Sequence, residues 1–312
     1  MKKMINTERI EGRVYQHNLE IKTVQNKESE NFGKEFITGT LDVATDEEGL
    51  NVLSTHFTYV TEMTKAGKQS PTFGVLKNII ENGKTWITDG KDAAMKVRIN
   101  TALALNDFYN NDDQLVSAKR NEGGFVNIVS TLAPEEERNT FKFDMLITAV
   151  NPVDNEDEHH VTLRGAIFNF RNDILPVELV VRSEDGMRYF ESLDVTGANP
   201  ILTEVRGKIV SNTVTREIEE ESAFGSASVR TVSRTTREWL VDWAKPVEYE
   251  YGSEDVLTAK EVQKAIQDRE VYLADIKRRR DEYNASREAA TAASKTTFAN
   301  NSMNVPEGGF TF

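Results

Sequence analysis

The sequence holds no cysteine, which removes at once a disulfide framework, a thiolate metal site and thiol-based catalysis. Histidine is scarce as well. His17, His56, His159 and His160 are the only four, they form no HExxH pair, and no GxxxxGK[ST] loop is present to cradle a phosphate. With no serine or threonine in a recognisable nucleophile motif either, no enzyme is expected. No apolar run approaches the length of a membrane span, and the opening MKKMINTERIEGRV has no hydrophobic stretch of signal-peptide length. The reading is of a protein of a reducing cytoplasm, with no membrane, cofactor or metal. The acidic loop Asp154-Asn155-Glu156-Asp157-Glu158-His159-His160 has residue types that could gather a divalent cation, although such loops are ordinarily solvated.

Positive charge is also in short supply, 38 Lys and Arg against 51 Asp and Glu for a net charge of −13, and this lowers the expectation of a polyanionic partner. The deficit is uneven. Residues 1–130 carry 16 basic against 18 acidic residues, whereas 131–245 carry 13 against 21. The first part is close to neutral, so its basic residues can gather on one face while acids cover the other.

Hydrophobic residues make up 38% of the chain, enough for globular cores. From Arg9 to Tyr59 apolar and polar residues alternate as in a half-buried sheet: one run from Ile10 to Val24, a second from Phe36 to Val43, a third from Val52 to Val60. Asn26–Gly33 and Asp46-Glu47-Glu48-Gly49 supply turns. The period then changes. In SPTFGVLKNIIENGK, Ser70 can cap, Pro71 suits a first turn, Phe73, Leu76, Ile79 and Ile80 share a helical face, and Gly83 ends the element. Two more extended runs follow between Ala94 and Val129. Three strands, a helix, then two strands is the order of an OB-fold barrel. Glycines inside strand patterns, at Gly12, Gly39, Gly165 and Gly207, mark bends expected of a closed barrel.

The fold class read from the chain is therefore mainly β. An OB-like five-stranded barrel over residues 1–130 is followed by a second all-β unit over 131–246, with strand-like runs at 141–150, 161–170, 174–182, 187–195, 201–210 and 229–243 and no obvious helix of its own. Residues 131–139, with Pro134 and three consecutive Glu, read as a linker or an exposed turn. A helical segment, 247–288, carries Val262, Ile266, Leu273, Ile276 and Tyr283 at spacings of three and four. A tail, 289–312, has too little apolar surface to order itself and is expected to be disordered.

Chemistry concentrates in Ala94–Val129. Val97, Ile99, Leu103 and Leu105 are strand formers, Asn110 to Asp113 is turn chemistry, and close by stand Phe108, Tyr109, Lys119, Arg120, Gly123, Gly124 and Phe125. Aromatic faces stack on unpaired bases, Lys and Arg neutralise phosphates, and paired glycines let a backbone approach a ligand. The plainer reading is a hairpin with a basic tip and core aromatics. Arg13, Tyr59, Lys65, Lys68, Lys96 and Arg98 complete the same candidate groove, and Lys65 and Lys68 sit in a loop able to close over a strand. Trp86, beside Lys84, is either a staple over the barrel or a stacking platform.

The chain closes on Glu307-Gly308-Gly309-Phe310-Thr311-Phe312 after a low-complexity spacer, an ending that resembles the tails of bacterial and phage single-stranded DNA-binding proteins. With the OB-like order of residues 9–129, the N-terminal third and the tail resemble a phage-type OB-fold single-stranded DNA-binding protein. That resemblance implies binding and protection of single-stranded DNA, with little sequence preference, during phage replication or recombination. It also implies replication or recombination partners docking on Phe310 and Phe312, and leaves a homo-oligomer open. The tail departs from the pattern in having one acid, Glu307, instead of an acidic run, and no proline directly before the final Phe. The alternative is a phage structural or assembly protein, an all-β body with a helical arm.

Overall fold

The computed structural model describes residues 3–64, 66–154, 159–220, 228–247 and 257–300, with the side chains of all of these except 212–236 and 288–300. Lys65, Glu156 to Glu158, Phe310 and Phe312 lie outside the described residues. Four strands open the chain: β1 (Asn6–His17), β2 (Glu20–Thr23), β3 (Glu35–Ala44) and β4 (Val52–Thr61). The run expected to continue from Ile10 to Val24 breaks at Asn18, whose side chain accepts from both the backbone N–H and the hydroxyl of Thr40. Helix α1 (Pro71–Asn82) is capped by Ser70, which accepts from the Phe73 N–H at 3.3 Å, and its buried Phe73, Leu76 and Ile79 close one end of the barrel. A short helix α2 (Trp86–Asp89) precedes the hairpin β5 (Lys96–Tyr109) and β6 (Leu115–Ile128).

These strands close into a ring. β1 pairs with β3, β3 with β4, β4 with β6 in parallel, β6 with β5, and β5 returns to β1. This is the five-stranded Greek-key order of an OB barrel with its helix between the third and fourth ring strands.

The second half repeats the plan. After a 3-10 turn at Glu135–Glu137 come β7 (Asn139–Asp154), β8 (His159–Phe168), β9 (Ile174–Val181), α3 (Glu184–Glu191), β10 (Ile201–Glu220) and β11 (Ser228–Ala244). Here β7 pairs with β8, β8 with β9, β9 with β11 in parallel, β11 with β10, and β10 with β7. Residues 187–195, expected as a strand, instead form most of α3 and its exit, and α3 stands where α1 does in the first ring. Met187 and Phe190, one helical turn apart, are its buried contacts. The final helix α4 (Ala259–Asn300) begins within the expected helical segment and runs past its boundary near residue 288.

The irregularities coincide too. The β1–β3 ladder shifts register between Val14 and Gln16, and the β7–β8 ladder between Ile147 and Ala149. Between β5 and β6 the shift follows Asn100; between β10 and β11 it follows Arg206. At the first of these, a β-carbon on Gly124 (φ +105°) would lie 1.8 Å from the Asn100 carbonyl oxygen, so only glycine lets the two backbones approach. At the second, Gly207 faces the Leu240 carbonyl just as closely.

Carrying these spacings along the strands makes Thr7 the counterpart of Thr140, Arg9 of Lys142, Asn100 of Arg206, Lys119 of Arg237 and Phe125 of Trp243.

The rings join edge to edge. β1 pairs antiparallel with β7, from Asn6↔Phe143 to Ile10↔Asn139, so equivalent strands meet across a local two-fold and all strands form one hydrogen-bonded system. One hydrophobic cluster runs through both rings, from Ile10, Phe57 and Val97 to Phe143, Leu179 and Trp239. Each long hairpin also reaches the neighbouring ring. Lys119 Nζ donates to the Glu178 carbonyl at 2.8 Å and lies 4.8 Å from the centre of the Trp239 ring, and Arg237 donates to Ser54 Oγ at 2.7 Å.

Candidate nucleic-acid interface

Because β1 and β7 are neighbours, six strands lie side by side in the order β6-β5-β1-β7-β10-β11. Alternation turns Ile10, Val97, Phe141, Phe143, Val205 and Ile209 to the core and Thr7, Arg9, Arg98, Asn100, Lys142, Arg206 and Lys208 outward.

The strand pairings lay out two cross-strand rows on this outer face. One runs Phe125, Asn100, Arg9, Thr140, Lys208; the other runs Thr7, Lys142, Arg206, Trp243. Arg13 and Lys96, paired with each other, and Arg98, paired with Glu11, extend the face along the first ring. A cleft of about 1130 Å3 lies on it, lined among others by Arg9, Asn100, Gly123, Gly124, Phe125, Phe170 and Arg206. Phe125 is 67% exposed, Trp243 43% and Phe170, at the β8–β9 turn, 77%. Exposed rings of this size on a sheet with converging cations are the components of a base-stacking groove.

The cations are held in place by one buried and one half-buried carboxylate. Glu11 is fully buried and accepts from Arg98 Nε at 2.6 Å, from the Arg9 guanidinium at 2.6 Å and from the Ala133 N–H at 2.8 Å. Burial pushes its pKa up, but these donors outweigh burial and hold it at about 2. Glu204 serves the second ring in the same way, bonded to Lys142 at 2.8 Å and Arg206 at 2.7 Å, and its pKa too is lowered against the effect of burial. The Arg206 guanidinium also lies 4.4 Å from the centre of the Trp243 ring, a cation–π contact. The cleft's own lining holds three basic residues, Arg9, Lys142 and Arg206, and three acidic ones, Glu8, Glu122 and Asp242, in a chain whose net charge is −13.

Four of the sequence candidates, Arg13, Lys96, Arg98 and Phe125, come together here, although Arg13 is drawn toward Glu47 at 3.7 Å and is only 15% exposed. The others stand elsewhere. Tyr59 is exposed and packs on Phe36, ring centres 4.7 Å apart, on β3 and β4. Lys68 is exposed in the loop before α1. Trp86 is half-buried between Tyr15, Gly49 and Lys91 over the end of β1. Lys119 is spent on the clasp to Glu178, with burial lowering its pKa, and Arg120 is bonded to Glu122 at 2.9 Å. Phe108 is exposed at the hairpin tip, while Tyr109 is met by Arg280 and Lys277 of α4 at 5.7 and 6.0 Å.

Sequence reasoning missed Arg9, Lys142, Phe170, Arg206, Lys208 and Trp243. Only Phe170 carried a local signal, an aromatic beside Arg171 between Asn169 and Asn172 in a tight turn. Among the described residues no group of three or more His, Asp or Glu is arranged to hold a metal ion, and no helix is long and apolar enough to cross a membrane.

Two rings of OB order joined through their first strands, with a basic aromatic face across the join, define a tandem OB-fold protein. The chain belongs to the YorF family, whose model matches residues 5–279. No curated protein matches it. Among solved structures it is similar to the wild-type single-stranded DNA binding protein from Thermus aquaticus, with 10% identity, a TM-score of 0.47, and coverage of 79% of this chain and 95% of that one. A deletion mutant of the same protein gives 10% identity and a TM-score of 0.47, with 81% of this chain and 100% of that one covered.

Proposed function

We propose that the protein is a non-catalytic binder of single-stranded DNA, holding the strand across the six-strand face with little sequence preference and protecting it during phage replication or recombination. The observation that carries this is the pair of cross-strand rows, which place Arg9, Lys142, Arg206 and Lys208 between the exposed rings of Phe125 and Trp243. Phosphates meet the cations and bases stack on the rings, and stacking tolerates any sequence because every base has a flat face.

Fluorescence anisotropy with labelled oligo-dT tests it. Affinity falls steeply with salt, each phosphate contact adding about 0.7 to the slope of log K against log salt. Lys142→Ala with Arg206→Ala lowers that slope by roughly 1.4. Absence of binding at low salt, or a slope the double variant leaves unchanged, removes the proposal.

A second reading has one observation in its favour. Phe125 and Trp243 on an open sheet face would also suit a contact between chains, as a structural or assembly protein requires. In that case Phe125→Ala with Trp243→Ala would turn an oligomer into a monomer in analytical ultracentrifugation without nucleic acid.

A further inference from the structure

The two halves of the six-strand face are built from equivalent strands but end differently. At Trp243 a guanidinium is already stacked on the ring, 4.4 Å from its centre, and Arg206 is itself steadied by Glu204 at 2.7 Å. At the equivalent place in the first ring Phe125 pairs with Asn100, which is uncharged, so the ring stands 67% exposed beside a neutral side chain. Indole is the strongest of the aromatic partners for a cation, and a base entering there meets a ring and a fixed positive charge together. The Phe125 end offers stacking alone.

Five inter-strand spacings separate β6 from β11, about 24 Å at 4.8 Å each. At the 3.4 Å rise of a stacked strand that is roughly seven nucleotides, and fewer when the strand is drawn out. Phe170 stands partway, on both the cleft beside Phe125 and Arg206 and the adjoining cleft that reaches α4.

Resting on the proposed function, we propose that the face is one graded site. A single strand is anchored first between Trp243 and Arg206, crosses the β1–β7 ladder past Phe170, and engages Phe125 only when it is long enough to bridge the six strands. The structure thereby gives the ligand a minimum length for full affinity and gives the two rings unequal roles.

The test is an oligo-dT series from dT4 to dT16, titrated into wild type, Phe125→Ala and Trp243→Ala, following anisotropy and tryptophan quenching. Both side chains are exposed, and matching urea midpoints show that the variants fold. In wild type, affinity climbs with length up to about eight nucleotides and then levels. Phe125→Ala binds dT4 within twofold of wild type and keeps the quenching, but loses about tenfold on dT16. Trp243→Ala weakens dT4 and dT16 alike and abolishes most of the quenching. The grading is overturned if Phe125→Ala weakens both lengths equally or neither, or if Trp243→Ala leaves dT4 binding intact. A wild type that binds no oligonucleotide of any length sinks the functional reading instead, which separates the two failures.

Discussion

Glu8 sits on β1 at the join of the two rings, 2% exposed, and accepts from Trp239 Nε1 of β11 at 2.8 Å through one oxygen. Its other oxygen, Oε2, has no hydrogen-bond partner among the described residues. Burial pushes the pKa up from 4.5 to about 8, the indole N–H only partly opposing it. As pH rises, the unfolded chain therefore gives up this proton first. The stability Glu8 contributes is fully present below pH 4.5 and is lost progressively as pH rises through about 8. Each unit of that interval is worth about 1.4 kcal/mol, so the loss totals roughly 5 kcal/mol. Glu8→Gln keeps the acceptor for Trp239 and removes the proton. Its amide nitrogen replaces the unpartnered oxygen at a pH-independent cost of about 1–2 kcal/mol. Urea unfolding of both proteins at pH 5, 6, 7 and 8 isolates the effect. The glutamine variant is the weaker at pH 5 and the stronger at pH 8, the difference changing by about 1.4 kcal/mol per unit. A difference that stays level across this range would show Glu8 to be ionised in the fold and would refute the reasoning.

Other substitutions probe the remaining joints. Arg269 of α4 bonds Asp107 at 2.8 and 3.2 Å with the two side chains 12% and 2% exposed; Arg269→Ala leaves that carboxylate with the Ser117 hydroxyl but no countercharge from α4, costs about 3 kcal/mol and loosens the helix, which hydrogen exchange along α4 reads directly. Gly124→Ala sets a β-carbon against the Asn100 carbonyl at a positive φ, so it lowers the melting temperature by well over the roughly 2 °C that about 1 kcal/mol produces in a chain of this size, whereas Gly67→Ala, also at positive φ but with open space around it, costs only about 1 kcal/mol.

Much of the first ring was legible because its signals are local. Ser70 and Pro71 announce α1, Asn110 to Asp113 announce the β5–β6 turn, and alternation sets β3 and β4. The second ring was harder for a physical reason. Met187, Tyr189, Leu193 and Val195 alternate like a strand, and an eight-residue helix with two buried residues is too short to impose a period of 3.6 against them. The face was hidden more deeply, since its side chains come from six strands and meet only once both rings close and β1 finds β7. Trp243 shows the limit of parity rules. It shares odd numbering with Trp239 and Val241, both buried, yet the register shift beside Arg206 turns it outward.

The β1–β7 ladder also bears on how the chain is made. β1 leaves the ribosome ahead of the other strands of both rings, and although β3 covers its second half, residues 6–10 stay bare on one side until residues 139–143 arrive, after the whole first ring. During that interval it is an open edge whose natural mate is a strand of its own kind, and a second nascent copy on the same message presents an identical one. Carrying both rings on one polypeptide answers this hazard, because the tethered β7 is always nearer than a stranger's β1. A ribosome stalled between the rings would leave that edge uncovered, and exchange of first strands between chains would be the expected misassembly.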